Sequence, residues 1–318
     1  MTRTLNEMKA ILPMNRLRLS TLSAFALVLP FALGACGGDA PAPTTPTTPA
    51  APTAPTPTSA EPPAPAAVGP AAASPAAAPA TSGEQHLKTV DVPPAIRAVV
   101  DAPDRDPADK KLDAGRKPAE LLAFAGIKPG MKVADLAAGG GYTTELLARA
   151  VGPTGVVYGQ NSPMIIEKFA AKPWAARLAK PADKNVVKVT RDFDDPLPPE
   201  AKDLDAVVMV LFYHDTFWMK VDQAKMNAAV FRALKPGGVF VILDHSGRAG
   251  SGTSEVQTLH RIDEAVVRKE VPLAGFKLAA DADVWRNPDD KRDWNSSPMA
   301  AGEKRGTSDR FALKFVKP

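Results

Sequence analysis

Histidines at the ends of two apolar segments are the residues of this chain best suited to acid–base chemistry. The chain has 4 histidines, and two of them follow strand-like apolar runs, in Tyr213-His214-Asp215 and in Asp244-His245. A histidine of near-neutral pKa can remove a proton from an attacking oxygen or nitrogen. His214 is therefore the first candidate for a general base, with Tyr213 or Asp215 to orient it or the substrate. Asp244 and His245 are the second candidates.

Other uses of these residues stay open at the level of sequence. The histidines can form structural hydrogen bonds in loops instead of taking part in chemistry. The surrounding segment, LFYHDTFWM at residues 211–219, contains Phe212, Phe217 and Trp218. These aromatic side chains could line an apolar substrate pocket, although packing in the core is their more common use.

A metal site gains no support from the spacing of its potential ligands. His260 lies in the sequence LHRIDE, within a helical pattern over residues 255–271, and the charged residues Arg261, Asp263 and Glu264 are predicted to form its solvated face. A site built from His214, His245, His260 and Asp244 would draw on widely separated segments, without the short ligand spacings that mark metal motifs. We therefore predict no metal.

A bare glycine turn is the second feature with chemical meaning. Residues 133–150 read VADLAAGGGYTTELLARA, an apolar strand pattern followed by three glycines and a helical pattern. Backbone without β-carbons lets a ligand approach closely, and the helix N-terminus adds positive charge. A phosphate-binding loop needs Lys and then Ser or Thr after its last glycine, but Gly141 precedes Tyr142. A dinucleotide fingerprint needs a third glycine where Thr144 stands, so the turn suits phosphate poorly.

Alternating strand and helix patterns must position these residues. The strands are predicted at residues 132–136, 155–159, 185–190, 204–212, 239–243, 276–280 and 311–317, and the helices at residues 117–125, 142–151, 163–178, 221–234 and 255–271. This alternation predicts an α/β fold, a three-layer sandwich with a mostly parallel seven-stranded sheet. Ligands bind such sheets beyond the carboxyl ends of the strands. The glycine turn and the two histidine segments should therefore meet at one edge.

The glycine turn resembles the first motif of class I S-adenosylmethionine-dependent methyltransferases. In that motif an apolar strand leads to an acid, matched by Asp135, and then to a glycine-rich loop. Gly139 and Gly141 match the last two glycines, whereas Ala137 replaces the first. ALKPGGVFVILD at residues 233–244 is similar to the helix, turn and fifth strand of the family.

The resemblance covers about residues 117–318 and implies a Rossmann-like methyltransferase sheet. It further implies S-adenosylmethionine as cofactor and methyl transfer to a small molecule. The segments HRIDEAVV and DRFALKFVKP look like those of a group of predicted exported methyltransferases. The family often places an adenine-binding acid and a flanking residue after the third strand, where this chain has Asp192 and Phe193.

One departure from the family concerns the ribose of the cofactor. The second strand ends GVVYGQN, so Gln160 or Asn161 stands where the family carries a carboxylate. A neutral amide accepts a hydrogen bond without charge assistance and therefore holds a hydroxyl less strongly. The alternative is a non-catalytic protein of the same fold that binds a nucleoside-like or other small molecule. A hydrolase or lyase built on the same cleft is a third hypothesis.

Residues 1–36 resemble a bacterial lipoprotein signal. Arg16 and Arg18 precede an apolar stretch that is too short to span a bilayer comfortably, and LGAC at residues 33–36 looks like a lipobox. Cys36 is the only cysteine of the chain, and the resemblance implies that it carries lipid. We expect a periplasmic protein anchored to the outer rather than the inner membrane, because Gly37 follows the cysteine.

The remaining sequence divides into a linker and one domain. Residues 37–83 are rich in Pro, Ala and Thr with almost no charge, so they cannot bury enough apolar surface to fold. Residues 84–318 are long enough for one α/β domain. The chain has a net charge of +4 without a basic tail, which does not favour nucleic acid as a partner. Export conflicts with the use of a cofactor that is made in the cytoplasm. Three resolutions stay open: the cofactor reaches the periplasm, the domain works before export, or the domain binds a different ligand.

Overall fold

The computed structural model describes residues 83–318. The predicted signal segment, the lipid-bearing Cys36 and the predicted linker up to residue 82 lie outside the described residues. No helix within residues 83–318 is both long and apolar enough to cross a membrane.

A single mixed sheet organises the described residues. Its eight strands are β1 (Gln85–Leu87), β2 (Lys132–Leu136), β3 (Val156–Asn161), β4 (Val186–Thr190), β5 (Leu204–Val210), β6 (Leu234–His245), β7 (Lys277–Ala282) and β8 (Arg310–Val316). They lie in the order β1-β7-β8-β6-β5-β2-β3-β4. β8 runs antiparallel to β6 and β7, and the other neighbours are parallel. The chain moves outward from β2 through β4 and returns beside β2 as β5, so the strand order reverses there.

Helices cover both faces of the sheet. They are α1 (Pro94–Val100), α2 (Pro107–Arg116), α3 (Pro118–Ala125), α4 (Tyr142–Val151), α5 (Pro163–Ile165), α6 (Ala171–Leu178), α7 (Asp215–Trp218), α8 (Gln223–Ala233) and α9 (Glu264–Glu270). Val208 of β5 packs in one core cluster with α1, α3 and α4, and Met209 packs in the other with α6, α8 and α9. Consecutive strand residues point to opposite faces, which is why β5 is apolar throughout.

The predicted α/β three-layer sandwich with a mostly parallel, Rossmann-like methyltransferase sheet is confirmed. All seven predicted strands are present, as β2 to β8. The sheet has an eighth strand, β1, which pairs in parallel with β7 at the edge. Three residues are too few to show a hydrophobic period, so sequence patterning could not reveal β1.

The predicted helix over residues 255–271 is wrong in its first half. α9 begins only at Glu264, because Asp263 caps it by accepting a hydrogen bond from the Ala265 backbone N–H at 3.0 Å. Ile262 instead forms a parallel bridge with Ser246. The prediction of a solvated helix face that includes Arg261 is therefore also wrong, because the Arg261 side chain is fully buried and precedes the helix.

Candidate active site

The glycine turn and three of the histidines line one cavity of about 600 Å³. The cavity lies at the carboxyl ends of β2, β5 and β6, where the strand order reverses between β2 and β5. Its wall contains Gly139 from the turn together with His214, His245 and His260. The volume is in the range of small-molecule sites. The sequence-based expectation that the turn and the histidine segments meet at one edge therefore holds in the structure.

His214 lies between two carboxylates. Its Nδ1 is 2.8 Å from Asp244 Oδ1, and its Nε2 is 3.1 Å from Asp215 Oδ1. Burial by itself lowers the pKa of His214, but the charges of Asp244 and Asp215 outweigh burial and raise it to about 10. His214 therefore holds its proton at neutral pH, and this arrangement does not suit the predicted role of general base.

His245 has a different environment within the same cavity. Its Nδ1 is 2.7 Å from Ser308 Oγ. Burial and the nearby positive charge of Arg310 lower the pKa of His245 well below its ordinary value. The ring is neutral and lines the cavity, so it has an unprotonated nitrogen, which His214 lacks, and it can act as a weak base toward a bound ligand.

The other predicted catalytic residues have separate positions. Asp215 lines the cavity, and its Oδ1 is 3.0 Å from His260 Nδ1. Burial alone would raise the pKa of Asp215, but the adjacent His214 outweighs burial and lowers it. Asp244 is fully buried behind His214 and accepts hydrogen bonds from the backbone N–H groups of His214 and His245, each at 2.8 Å, so it positions these residues.

Tyr213 does not reach the cavity. Its side chain is fully buried, and its hydroxyl accepts a hydrogen bond from Asn227 Nδ2 at 3.0 Å and donates one to Glu270 Oε2 at 3.3 Å. The predicted orienting role of Tyr213 is therefore wrong, because the turn after β5 places the Tyr213 side chain in the core while His214 borders the cavity. Of the nearby aromatic residues, Phe212 lines the cavity.

The glycines of the turn have different neighbours. Gly139 has a φ of 56°, and a β-carbon added there would meet only the Ala137 carbonyl oxygen, at 4.0 Å, so its open side faces the cavity. A β-carbon on Gly141 would come within 2.7 Å of both Trp174 and Arg177. Gly141 is bare because protein side chains fill its space, so its predicted contact with a cofactor is wrong.

Gln160 and Asn161 are fully buried beneath the turn and do not line the cavity. Gln160 Oε1 accepts a hydrogen bond from the Ala137 N–H at 3.0 Å, and Asn161 Oδ1 accepts one from the Gly139 N–H at 2.8 Å. Asn161 Nδ2 in turn donates to the Gly139 carbonyl oxygen at 3.1 Å. These contacts correct the prediction that either residue holds a ribose, because both amide oxygens hold the shape of the turn.

Asp192 and Phe193 also lie away from the cavity wall. Asp192 is exposed to solvent, and Phe193 is buried against Phe212 with ring centroids 5.0 Å apart. Only Phe212 of this group borders the cavity. The expected adenine contacts from Asp192 and Phe193 are therefore not seen in this arrangement, since Phe212 stands between Phe193 and the open space.

Asp135 keeps the position predicted from the glycine motif. It lines the cavity at the end of β2 and accepts a hydrogen bond from Thr144 Oγ1 at 2.6 Å. Burial raises the pKa of Asp135 to about 7, although the Thr144 hydrogen bond acts in the opposite direction. The turn thus begins with a carboxyl group that is buried by the protein and faces the ligand space.

Besides Arg177, which pairs with Asp109 and Glu145, three guanidinium groups of the cavity wall were missed at the level of sequence: Arg116, Arg305 and Arg310. Arg310 is 3% exposed, and burial together with the charge of Arg116 lowers its pKa to about 10. Arg116 lies 4.5 Å from the Tyr142 ring centroid. Within residues 83–318 none of the three forms an ion pair with a carboxylate. No local motif joins them, because they come from α2, the C-terminal loop and β8.

The cavity fits the cofactor that the glycine motif implies. Ala137 and Gly139 expose backbone to the open space, and no side chain fills the position where a Gly139 β-carbon would lie. The turn, Asp135 and Phe212 would hold S-adenosylmethionine, and the unpaired arginines suit a carboxylate.

Comparison with known proteins supports the enzyme class. Residues 134–242, from β2 into β6, match the methyltransferase domain family. The chain is 30% identical over 166 residues to ubiquinone/menaquinone biosynthesis C-methyltransferase UbiE of Burkholderia multivorans, covering 52% of this chain and 61% of that protein. The same enzyme of Burkholderia mallei is 32% identical over 165 residues, with the same coverage.

The chain thus spans 61% of the length of these curated relatives. Among solved structures, a SAM-dependent methyltransferase from Aquifex aeolicus is similar, with 20% sequence identity and a TM-score of 0.47. The likeness covers 68% of this chain and 100% of that one. The family match and the curated relatives support the predicted methyltransferase enzyme with S-adenosylmethionine as its cofactor.

Proposed function

We propose that this chain transfers a methyl group from S-adenosylmethionine to a small molecule. The observation that carries the proposal is the single cavity that joins the glycine turn to a neutral histidine, His245. When bound, S-adenosylmethionine supplies a methyl group that its positively charged sulfur makes electrophilic. The domain then needs mainly to align the acceptor with that group.

The residues of this chain have distinct parts in the proposal. The backbone at Ala137 and Gly139 provides the surface for the cofactor, and Gln160 holds that surface in shape. His245 accepts the proton that the methyl acceptor loses, because its Nδ1 is held by Ser308 while its ring borders the cavity. The proposal thus moves the role of base from His214 to His245.

The unpaired arginines support an anionic group on one ligand. Arg116, Arg305 and Arg310 border the same cavity without a carboxylate partner within residues 83–318, and a bound anion would form charge-assisted hydrogen bonds with such groups. We propose that they bind a carboxylate of the cofactor or of the acceptor.

We propose further that the domain is exported and lipid-anchored through Cys36, in the periplasm and at the outer membrane. The lipobox-like LGAC sequence and the proline-rich segment behind it support this location. The cofactor must then be present outside the cytoplasm, or methyl transfer must precede export.

Calorimetry on the detergent-solubilised full-length chain tests the proposed function. We expect S-adenosylmethionine and S-adenosylhomocysteine both to bind with micromolar dissociation constants. Gly139→Ala should weaken both by at least about tenfold, or about 1.4 kcal/mol, because its new methyl group projects into the cavity. A folded chain that binds neither compound would refute the proposal.

Gly237→Ala is the matched control. Gly237 also has a positive φ, of 77°, and a β-carbon there meets no atom within 4 Å, but it lies in the exposed first part of β6, away from the cavity. Both variants impose the same kind of backbone strain, and only Gly139→Ala should change ligand affinity. Equal affinities for the two variants would remove the glycine turn from the binding site.

A further inference from the structure

We propose that His214, Asp215 and His260 bind a divalent transition-metal ion of the Zn²⁺ type. The three residues come from the end of β5, the start of α7 and the loop before α9. Their potential ligand atoms all lie within 4.8 Å of one another. Two imidazole nitrogens and one carboxylate oxygen form a donor set used by catalytic zinc sites.

The spacing of the donor atoms approaches that of a metal coordination shell. Asp215 Oδ1 is 3.1 Å from His214 Nε2 and 3.0 Å from His260 Nδ1. In a tetrahedral site with metal–ligand bonds of about 2.0–2.1 Å, neighbouring ligand atoms are about 3.3 Å apart. Small side-chain movements would therefore open room for an ion among the three atoms, and the ion would displace the proton on His214 Nε2 to solvent when it binds.

The residues behind the cluster hold its donors in place. The Nδ1 of His214 is 2.8 Å from Asp244 Oδ1, and Asp244 is itself held by two backbone N–H groups. A ligating histidine in a metal site typically donates its other ring N–H to such a carboxylate. Trp218 Nε1 donates a hydrogen bond to Asp215 Oδ1 at 2.6 Å, which orients the carboxylate. The backbone carbonyl of His260 accepts a hydrogen bond from Ser296 Oγ at 2.6 Å.

One side of the cluster is open to the cavity. His214, Asp215 and His260 all border the space into which the glycine turn opens. Three protein ligands with an open fourth position are typical of catalytic rather than structural zinc sites. If the proposed function holds, the fourth ligand is the hydroxyl or thiol of the methyl acceptor, whose proton is lost more easily once it is bound to the ion.

Zinc binding by the full-length chain tests the site directly. After dialysis against a chelator, we expect calorimetry to detect about one tightly bound Zn²⁺ per chain. Mg²⁺ should bind only weakly, because imidazole donors do not suit it. Co²⁺ should give visible absorption bands of a nitrogen- and oxygen-ligated ion. His260→Ala and Asp215→Asn should weaken Zn²⁺ binding about 100-fold, and Asp244→Asn by about 10- to 100-fold.

His86→Ala is the control for accidental binding by histidine and carboxylate. His86 also contacts two carboxylates, Asp281 at 2.7 Å and Asp283 at 3.0 Å, but its two ring nitrogens point to different partners at an exposed site. Zn²⁺ affinity should be unchanged in this variant. Circular dichroism establishes that each variant is folded, and His260→Ala is the least disruptive because His260 is the most exposed of the three ligands.

Two outcomes overturn the metal site: no Zn²⁺ binding by the folded chain, or His260→Ala and Asp215→Asn variants that bind Zn²⁺ as the unaltered chain does. Failure of the metal site is distinguishable from failure of the proposed function. Binding of S-adenosylhomocysteine without any binding of Zn²⁺ refutes only the metal site. Binding of Zn²⁺ without either adenosyl compound refutes only the proposed function.

Discussion

Gly141→Ala should destabilise the domain, because the position that resembles a cofactor contact is packed against protein. The new β-carbon would lie within 2.7 Å of Trp174 and Arg177, and Trp174 is only 1% exposed. Overpacking of this kind costs about 1–3 kcal/mol. The residue also has a φ of 82°, and a side chain in the left-handed region costs about 1–2 kcal/mol. The free energy of unfolding should therefore fall by about 2–5 kcal/mol.

Urea denaturation followed by tryptophan fluorescence measures this loss. Gly237→Ala carries the backbone cost without the clash, so it should lose only about 1–2 kcal/mol. In a domain of this size each kcal/mol lowers Tm by about 2–4 °C. The two variants should therefore also differ in Tm.

Equal losses for Gly141→Ala and Gly237→Ala would refute the reasoning. That result would mean that Trp174 and Arg177 do not fill the space beside Gly141. The backbone at Gly141 could then contact a bound ligand, as the glycine motif by itself suggests.

Two further predictions concern the buried acid and the N-terminal segment. Burial raises the pKa of Asp135 to about 7 in the folded state, so the folded chain retains a proton that the unfolded chain loses near pH 4. The free energy of unfolding should therefore fall by up to about 4 kcal/mol as the pH rises from about 4 to about 7. Asp135→Asn should flatten this part of the curve of unfolding free energy against pH, and an unchanged curve would contradict the assignment. Cys36→Ser should move the protein from the membrane fraction to the soluble fraction of fractionated cells, whereas retention in the membrane fraction would contradict a lipid anchor at Cys36.

The order of strands and helices was accessible from the sequence, because burial on one or two faces leaves a periodic pattern in the residues themselves. The apolar run of β5 and the glycine turn after β2 both follow this rule. The common location of His214 and His245 also followed, since parallel strands bring their carboxyl ends to one edge. β1 was missed because a three-residue edge strand leaves no period, and the residues before α9 were wrongly assigned to a helix because their local pattern does not reveal the bridge between Ile262 and Ser246.

The roles of individual side chains depended on partners that are distant in the chain. The sequence could not show that Trp174 fills the space beside Gly141, or that the Asn161 side chain accepts a hydrogen bond from the backbone N–H of Gly139. Only the folded chain brings Asp244 behind His214, and with it the charge that changes what that histidine can do. Local pattern specifies which face of an element is buried, whereas the chemistry of a site depends on which atoms from separate elements come within about 3 Å of each other.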